Sequence, residues 1–271
     1  MVDVDTPPPF SRLPEPLVGA LREITRTKRL LVALDFDGTL APVVNDPARA
    51  RALPEAREAV LRLLRMPRTR VAVVSGRSLA SLESVAELPD ETLLVGSHGI
   101  ELRLDDPAIT IGLSDSEIEK VGYLKDVLSE VADSIDQVWL EPKPAGFALH
   151  TRLATEHNSR VAHLEALEEL GDDIDAYTVR TGKDVLEFSV RGTTKGDAIE
   201  HLRSYTGSTA VFFAGDDVTD EDAFAALEPD DVGVKAGEGA TLANFRVKGP
   251  TEIARAIALL ADLRDGDVHE Q

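Results

Sequence analysis

The sequence predicts an α/β fold: a doubly wound, Rossmann-like parallel-sheet core with an inserted, smaller α+β cap domain. Three observations carry that expectation. Short β-rich apolar runs ending abruptly in polar or glycine residues alternate with helical stretches in the first half of the chain. The same alternation returns near the C-terminus. Between them lies a segment of different grain, with extended runs in pairs joined by glycine-containing turns. Strands alternating with helices of this length give right-handed βαβ units and a parallel sheet.

Taken in order, residues 1–16 are acidic and proline-rich (Pro7, Pro8, Pro9, Pro14, Pro16) and read as a flexible tail without the layout of a secretory signal. Three buried strands are expected at Leu30–Leu34, Val71–Val74 and Thr92–Val95. Pro54–Leu64 carries Ala56, Val60, Leu63 and Leu64 at helical spacing, and Ser78–Leu88 repeats that pattern. The middle, residues 113–191, reads as helix (Asp115–Asp133), extended pair (Val138–Glu141, Phe147–Arg152), helix (Thr155–Leu170) and extended pair (Tyr177–Arg180, Val185–Val190). That is a small antiparallel sheet backed by two helices. Strands then return at Val211–Ala214 and Val232–Val234, with helices at Gly196–Ser204, Asp220–Leu227 and Glu252–Leu263. The core is therefore expected to be discontinuous, 17–112 with 192–271, and the cap to span 113–191.

Composition narrows the function. With 43% apolar residues in 271, the chain can bury a sizeable core. Its formal charge of -20 opposes phosphate-backbone neutralisation, so neither nucleic acid nor an anionic membrane surface is an expected partner. Cysteine is absent, which excludes thiolate metal sites and cysteine nucleophiles. The cytoplasm is the expected location, and no obligate protein partner is evident.

The strongest chemical signal is Asp35-Phe36-Asp37-Gly38-Thr39-Leu40, directly after the first strand. In open parallel sheets the ligand crevice lies beyond the carboxyl ends of the strands, and alternation turns Asp35 and Asp37 the same way. One carboxylate can serve as nucleophile and the other as general acid and base. A second cluster, Asp216, Asp217, Asp220, Glu221 and Asp222, follows the strand that ends at Ala214. Helix capping needs one or two acids, not five in seven positions. Two like charges about 4 Å apart repel by about 4 kcal/mol at an effective dielectric of about 20, so Asp35, Asp37, Asp216 and Asp220 at neighbouring strand ends demand a cation. All-oxygen ligation suits Mg²⁺ far better than Zn²⁺. Ser75-Gly76-Arg77 can hold phosphoryl oxygens or be a simple loop. Lys195 can orient an aspartate nucleophile or be a solvated lysine.

The ordered set Asp35-x-Asp37-Gly38-Thr39, Ser75, Lys195 and Gly215-Asp216-Asp217-x-x-Asp220 resembles the haloacid-dehalogenase superfamily of aspartate-nucleophile phosphotransferases. The resemblance implies that Asp35 attacks phosphorus and that Asp37 protonates the leaving oxygen and later activates water. It further implies Mg²⁺ held by Asp35, the Asp37 backbone carbonyl and Asp216, with Asp220 a direct or water-mediated ligand. Ser75-Gly76-Arg77, Gly96-Ser97-His98-Gly99, Glu141-Pro142-Lys143, His150-Thr151-Arg152, Lys183 to Glu187 and Gly215 to Phe224 are similar to the trehalose-6-phosphate phosphatase family within that superfamily. By that likeness Glu141, Lys143, Arg152, Lys183 and Glu187 grip the sugar, with His150 beside them and His98 near the site. Taken alone, those cap residues read as a solvated sheet face, and His98 as a turn residue.

Glu141 with Lys143, and His150 with Arg152, are each expected to share a face of an extended segment. Trp139 and Phe147 are expected in the cap core, and His157, His163 and His201 on the surface. Two departures stand out: Thr151 replaces a frequent Tyr, and Phe188-Ser189-Val190 replaces an Arg-Pro pattern after Glu187. No fused synthase segment is present, so a stand-alone phosphatase acting on a small phosphosugar, last step of trehalose biosynthesis, is expected. The alternatives are a related phosphatase for another phosphosugar such as sucrose phosphate, and a Mg²⁺-binding phosphoacceptor signalling module.

Overall fold

The structure, a computed structural model, describes residues 13–44, 46–105, 113–182 and 184–269. It divides into two compact units, one drawn from both ends of the chain and the other from Thr110–Thr193. The first contains α1 (Glu15–Ile24), β1 (Leu30–Leu34), α2 (Pro54–Leu64), β2 (Thr69–Val74), α3 (Leu79–Ala86), β3 (Leu93–Gly96) and β4 (Glu101–Arg103). The second contains α4 (Asp115–Ser134), β5 (Trp139–Lys143), β6 (Gly146–His150), α5 (Glu156–Leu170), β7 (Thr178–Gly182) and β8 (Val185–Ser189). The chain then returns to the first with α6 (Lys195–Thr206), β9 (Ala210–Gly215), α7 (Asp220–Ala225), β10 (Val232–Ala236), β11 (Phe245–Val247) and α8 (Pro250–His269).

The first unit is a seven-stranded sheet in the order β11-β10-β9-β1-β2-β3-β4, parallel except for the β3–β4 pair. Every residue of β1 is buried, as a central strand covered on both faces requires. Alternation sorts its side chains. Leu30, Val32 and Leu34 join the apolar cluster formed with α1, α2 and α8, whereas Leu31 and Ala33 face Ala198, Ile199, Leu202 and Phe224 of α6 and α7. Helices on both faces make the sheet doubly wound, as expected. Strand order reverses between β1 and β9, whose registers align Leu34 with Ala214. A crevice forms at such a switch point, beyond the strands' carboxyl ends.

The expectation of a flexible tail over 1–16 does not hold for Pro14 to Pro16. Pro14 is the N-cap of α1 and Pro16 lies in its first turn, where a missing N–H costs nothing. Leu17 and Leu21 of this helix are fully buried. Residues 1–12 lie outside the described residues.

The second unit is a four-stranded antiparallel sheet, β5-β6-β8-β7, with α4 and α5 against one face. Phe147, Leu149, Leu186 and Phe188 supply that face to a cluster with Leu124, Leu128, Ala162 and Ala166. On the other face the register aligns Glu141 with Ala148, Ala148 with Glu187, and Glu187 with Arg180. At the base of this unit Glu117 closes a capping box with Ser114 and takes a two-pronged contact from Arg191, Nε at 2.8 Å and Nη2 at 2.9 Å. Those contacts hold its carboxyl down at about 2. Among the described residues no helix is long and apolar enough to cross a membrane.

Candidate active site

Asp35 follows β1 and stays in register, its N–H donating to the Ala214 carbonyl at 2.9 Å. This places it beside the loop after β9 that carries Asp216. Carboxylate oxygens of Asp35, Asp216 and Asp220 lie within 4.8 Å of one another, the group of acids among the described residues that is spaced to hold a metal ion. Gly38 makes the approach possible. Its φ of +82° suits glycine, and a β-carbon there would collide with the Asp216 carboxylate.

Lys195 is the first residue of α6, whose Thr194–Asp197 capping box fixes the turn. A cation at the positive end of a helix is unfavourable by itself. Two acids compensate: its Nζ donates to Asp35 Oδ1 at 2.7 Å and to Asp220 Oδ1 at 2.6 Å. Burial alone would push the Lys195 ammonium towards losing its proton; Asp35 and Asp220 reverse that and raise its pKa. Asp35 is 4% exposed. Its burial drives its carboxyl up to about 7, against the pull of Lys195 and with help from Asp220 and Asp216. Asp216 is raised for the same reasons, burial first and then Asp220 and Asp217. One ammonium cannot balance three carboxylates, and the donors are all oxygen. The cluster fits a divalent cation.

Asp220 serves the loop as well. Its Oδ2 accepts the N–H groups of Asp216 at 2.9 Å and Asp217 at 2.8 Å, folding the chain back on itself. The remaining acids after β9 do not join the group. The Asp217 carbonyl accepts from Lys235 Nζ at 3.0 Å, and Glu221 pairs with the same lysine at 3.3 Å. Lys235, nearly fully buried, was not anticipated from sequence; its place at the end of the apolar run Val232–Val234 was the available signal.

The Asp37 carboxylate stands apart from that group of three, so any part it has in holding metal falls to its backbone carbonyl. Arg77 takes both its oxygens, Nε to Oδ2 at 2.5 Å and Nη2 to Oδ1 at 2.7 Å. Ser75 is buried after β2, its Oγ accepting the Arg77 N–H at 3.2 Å. Gly76 lies against the His98 imidazole, where a β-carbon would come within 2.6 Å of the ring. His98 belongs to a run of three left-handed residues, Ser97 (φ 49°), His98 (φ 55°) and Gly99 (φ 107°). Glu101 braces that run, its Oε2 accepting from Ser97 Oγ and from the Leu79 N–H, both at 2.8 Å. This brace was also missed in sequence.

In the second unit Glu141 is gripped by Lys143 Nζ at 2.7 Å and bonded to His150 Nε2 at 2.6 Å, which brings three of the expected residues together. Glu187 faces the same side, with Arg180 its unexpected neighbour on β7. Trp139 corrects its expectation. It lies on the Glu141 side, outside the apolar cluster, stacked on His150 with centroids 5.0 Å apart. Phe147 is core, as expected. Arg152 does not share a strand face with His150, because β6 ends at His150 and Arg152 sits in an exposed turn. Lys183 lies outside the described residues. Thr151 is buried against Ser159, their hydroxyls 2.7 Å apart.

Residues 33–250 match the model of the trehalose-phosphatase family. A trehalose-phosphate phosphatase of Mycobacterium avium is 36% identical over 253 residues, 85% of this chain and 62% of its own length. A bifunctional trehalose-6-phosphate synthase/phosphatase of Thermoproteus tenax is 34% identical over 229 residues, 83% of this chain and 31% of its own. The chain thus spans less than two thirds of either relative. Among solved structures, the Aspergillus fumigatus trehalose-6-phosphate phosphatase superposes with a TM-score of 0.70 at 25% identity, covering 91% of this chain and 97% of that one. With a matching family model over most of its length and an acidic group at the strand ends, the chain belongs to the trehalose-phosphatase family.

Proposed function

We propose that this chain is a Mg²⁺-dependent phosphatase that hydrolyses trehalose 6-phosphate to trehalose and phosphate through an aspartyl-phosphate. The observation that carries the reading is the Asp35–Lys195–Asp220 contact beside Asp216 at the switch point of the sheet. Asp35 is the nucleophile. Asp37 gives a proton to the leaving sugar oxygen and later takes one from water, while Ser75 and Lys195 orient the phosphoryl group and the nucleophile. Asp35, Asp216 and the Asp37 carbonyl would hold Mg²⁺, with Asp220 a direct or water-mediated ligand. The ion, when bound, offsets the charge of the nucleophile and the phosphate.

Glu141, Lys143, His150 and Glu187, with Arg152 and Lys183, present donors and acceptors to the sugar hydroxyls. Binding energy from the remote sugar then orients the phosphoryl group. A cytoplasmic enzyme without an obligate protein partner belongs to the same reading, and the charge of -20 argues against nucleic acid. The test is phosphate release over a panel of sugar phosphates, each with Mg²⁺ and with chelator. Trehalose 6-phosphate is expected to be hydrolysed fastest, with activity lost to chelator and in Asp35→Asn. Faster release from sucrose phosphate would reassign the substrate, and one phosphate per chain without turnover would favour a phosphoacceptor.

A further inference from the structure

We infer that Arg77 is a positioning residue for Asp37, and not a cation that grips the substrate phosphate. This inference rests on the phosphatase reading above and concerns how its acid–base group is held. Fork meets fork: the Nε and Nη2 edge of the guanidinium is occupied by the two Asp37 oxygens at 2.5 and 2.7 Å. That edge is one of the two a guanidinium can offer a phosphate for a two-pronged grip; on the other, Nη1 and Nη2, Nη1 already donates to Ser81 Oγ. The guanidinium is itself fixed from other sides. Nη1 donates to Ser81 Oγ of α3 at 3.2 Å, and the group lies 5.8 Å from the centroid of the Phe36 ring. The Arg77 backbone is tied as well, its carbonyl accepting the Ser97 N–H at 2.7 Å.

The asymmetry of exposure supports the assignment. The Arg77 side chain is 11% exposed and that of Asp37 37%. Arg77 thus backs a carboxylate whose outer lone pairs remain open. An ion pair with one partner this exposed adds little to folding, so its value lies in orientation. The chemistry needs that orientation twice. In the first half-reaction an Asp35 oxygen bonds to phosphorus as the ester P–O bond breaks, and the departing sugar oxygen takes its electron pair and the proton from Asp37. In the second, Asp37 takes a proton from water as the water oxygen bonds to phosphorus, and the Asp35–phosphorus bond breaks with its electrons returning to Asp35. One carboxylate must hold the same position through both.

A double-mutant cycle tests this with Arg77→Met, Asp37→Asn and the double variant, on trehalose 6-phosphate and on p-nitrophenyl phosphate. Arg77→Met is expected to lower kcat on the sugar ester roughly 100-fold, the scale of a lost acid–base contribution, with KM changed less than about threefold. The first turnover of the aryl ester, whose leaving group needs little proton, should slow less than about fivefold and appear as a burst before slow steady release. On the Asp37→Asn background, Arg77→Met should cost less than about twofold, because two residues acting as one unit are not additive. Arg77→Lys, which restores the charge but not the fork, should recover part of the loss. Losses that multiply, or a rise in KM shared by both esters without a burst, would overturn the inference in favour of direct phosphate binding. Melting curves identify a misfolded variant; should Arg77→Met be one, Arg77→Lys is carried through the same cycle. Wild-type protein idle on trehalose 6-phosphate but active on the aryl ester would sink the substrate assignment alone and leave the cycle readable.

Discussion

Lys195 Nζ donates to Asp35 Oδ1 at 2.7 Å across 160 positions of sequence, and both side chains are almost wholly removed from solvent. The ammonium has no role in packing that an apolar side chain could not fill. Its presence marks a requirement for charge at this point.

Replacing Lys195 by Met should therefore destabilise and inactivate together. Two buried acids would lose their shared counter-charge, a loss of about 3–5 kcal/mol for a broken buried pair. Urea unfolding measures the first effect and phosphate release the second. A fully stable Lys195→Met protein would show that Asp35 and Asp220 do not depend on it.

Asp35 carries the opposite sign from most aspartates. Its carboxyl is raised from 3.8 to about 7 in the folded protein, so between those values the folded state binds more protons than the unfolded one. Stability of the metal-free protein should fall as pH rises through that window. With chelator at pH 8, Asp35→Asn is expected to melt at or above wild type, and the difference should fade as pH drops towards 4. Wild type gaining on the variant as pH rises would contradict this.

Glu117 behaves in the usual direction. Held at about 2 by Arg191 and Ser114, it contributes stability that is present above its ordinary value of 4.5 and lost as pH falls through 2. The deficit of Glu117→Gln relative to wild type, followed by urea unfolding, should shrink steadily between pH 5 and pH 2, the window set by those two values. A deficit independent of pH would assign the contact to packing.

Glu101→Ala removes the acceptor for both Ser97 Oγ and the Leu79 N–H. The expected loss is about 1–3 kcal/mol, that of leaving a part-buried donor unsatisfied. Because the Ser97 N–H bonds the Arg77 carbonyl, kcat should fall as well. Glu101→Gln, which keeps one acceptor, should restore most of both in a melting and activity assay.

Glu187→Ala tests the sheet face that aligns Glu141, Ala148, Glu187 and Arg180. Hydrolysis of a small aryl phosphate should survive within about twofold, while kcat/KM for trehalose 6-phosphate drops on the order of tenfold or more, as for a lost hydrogen bond to a sugar hydroxyl. Equal losses on both esters would remove Glu187 from sugar recognition.

Much of this architecture was legible because the physics is local. The run Leu30–Leu34 is uniformly apolar since β1 is covered on both sides, and Asp35 stands out where that run stops. What escaped was set by distant partners. Glu101–Arg103 and Phe245–Val247 are three-residue strands, the first with two charged residues and the second with one, defined by the neighbour they pair with and not by propensity. The prolines before Leu17 hid α1, which is held by burial of one apolar face. The turn from Asp37 to Gly38 was readable as chemistry. The guanidinium reaching Asp37 from 40 positions away was not, because nothing local to Arg77 distinguishes a fork aimed at an anion from one aimed at a neighbouring carboxylate.

The pairing of Leu30 with Ala210 has a consequence for biosynthesis. A ribosome releases β1 long before β9 exists, so the growing polypeptide carries one bare flank of its most apolar strand through the whole intervening stretch. Such delayed closure slows maturation and invites self-association of nascent chains. It also means that Asp35 and Asp216 cannot meet until the chain has grown past residue 216.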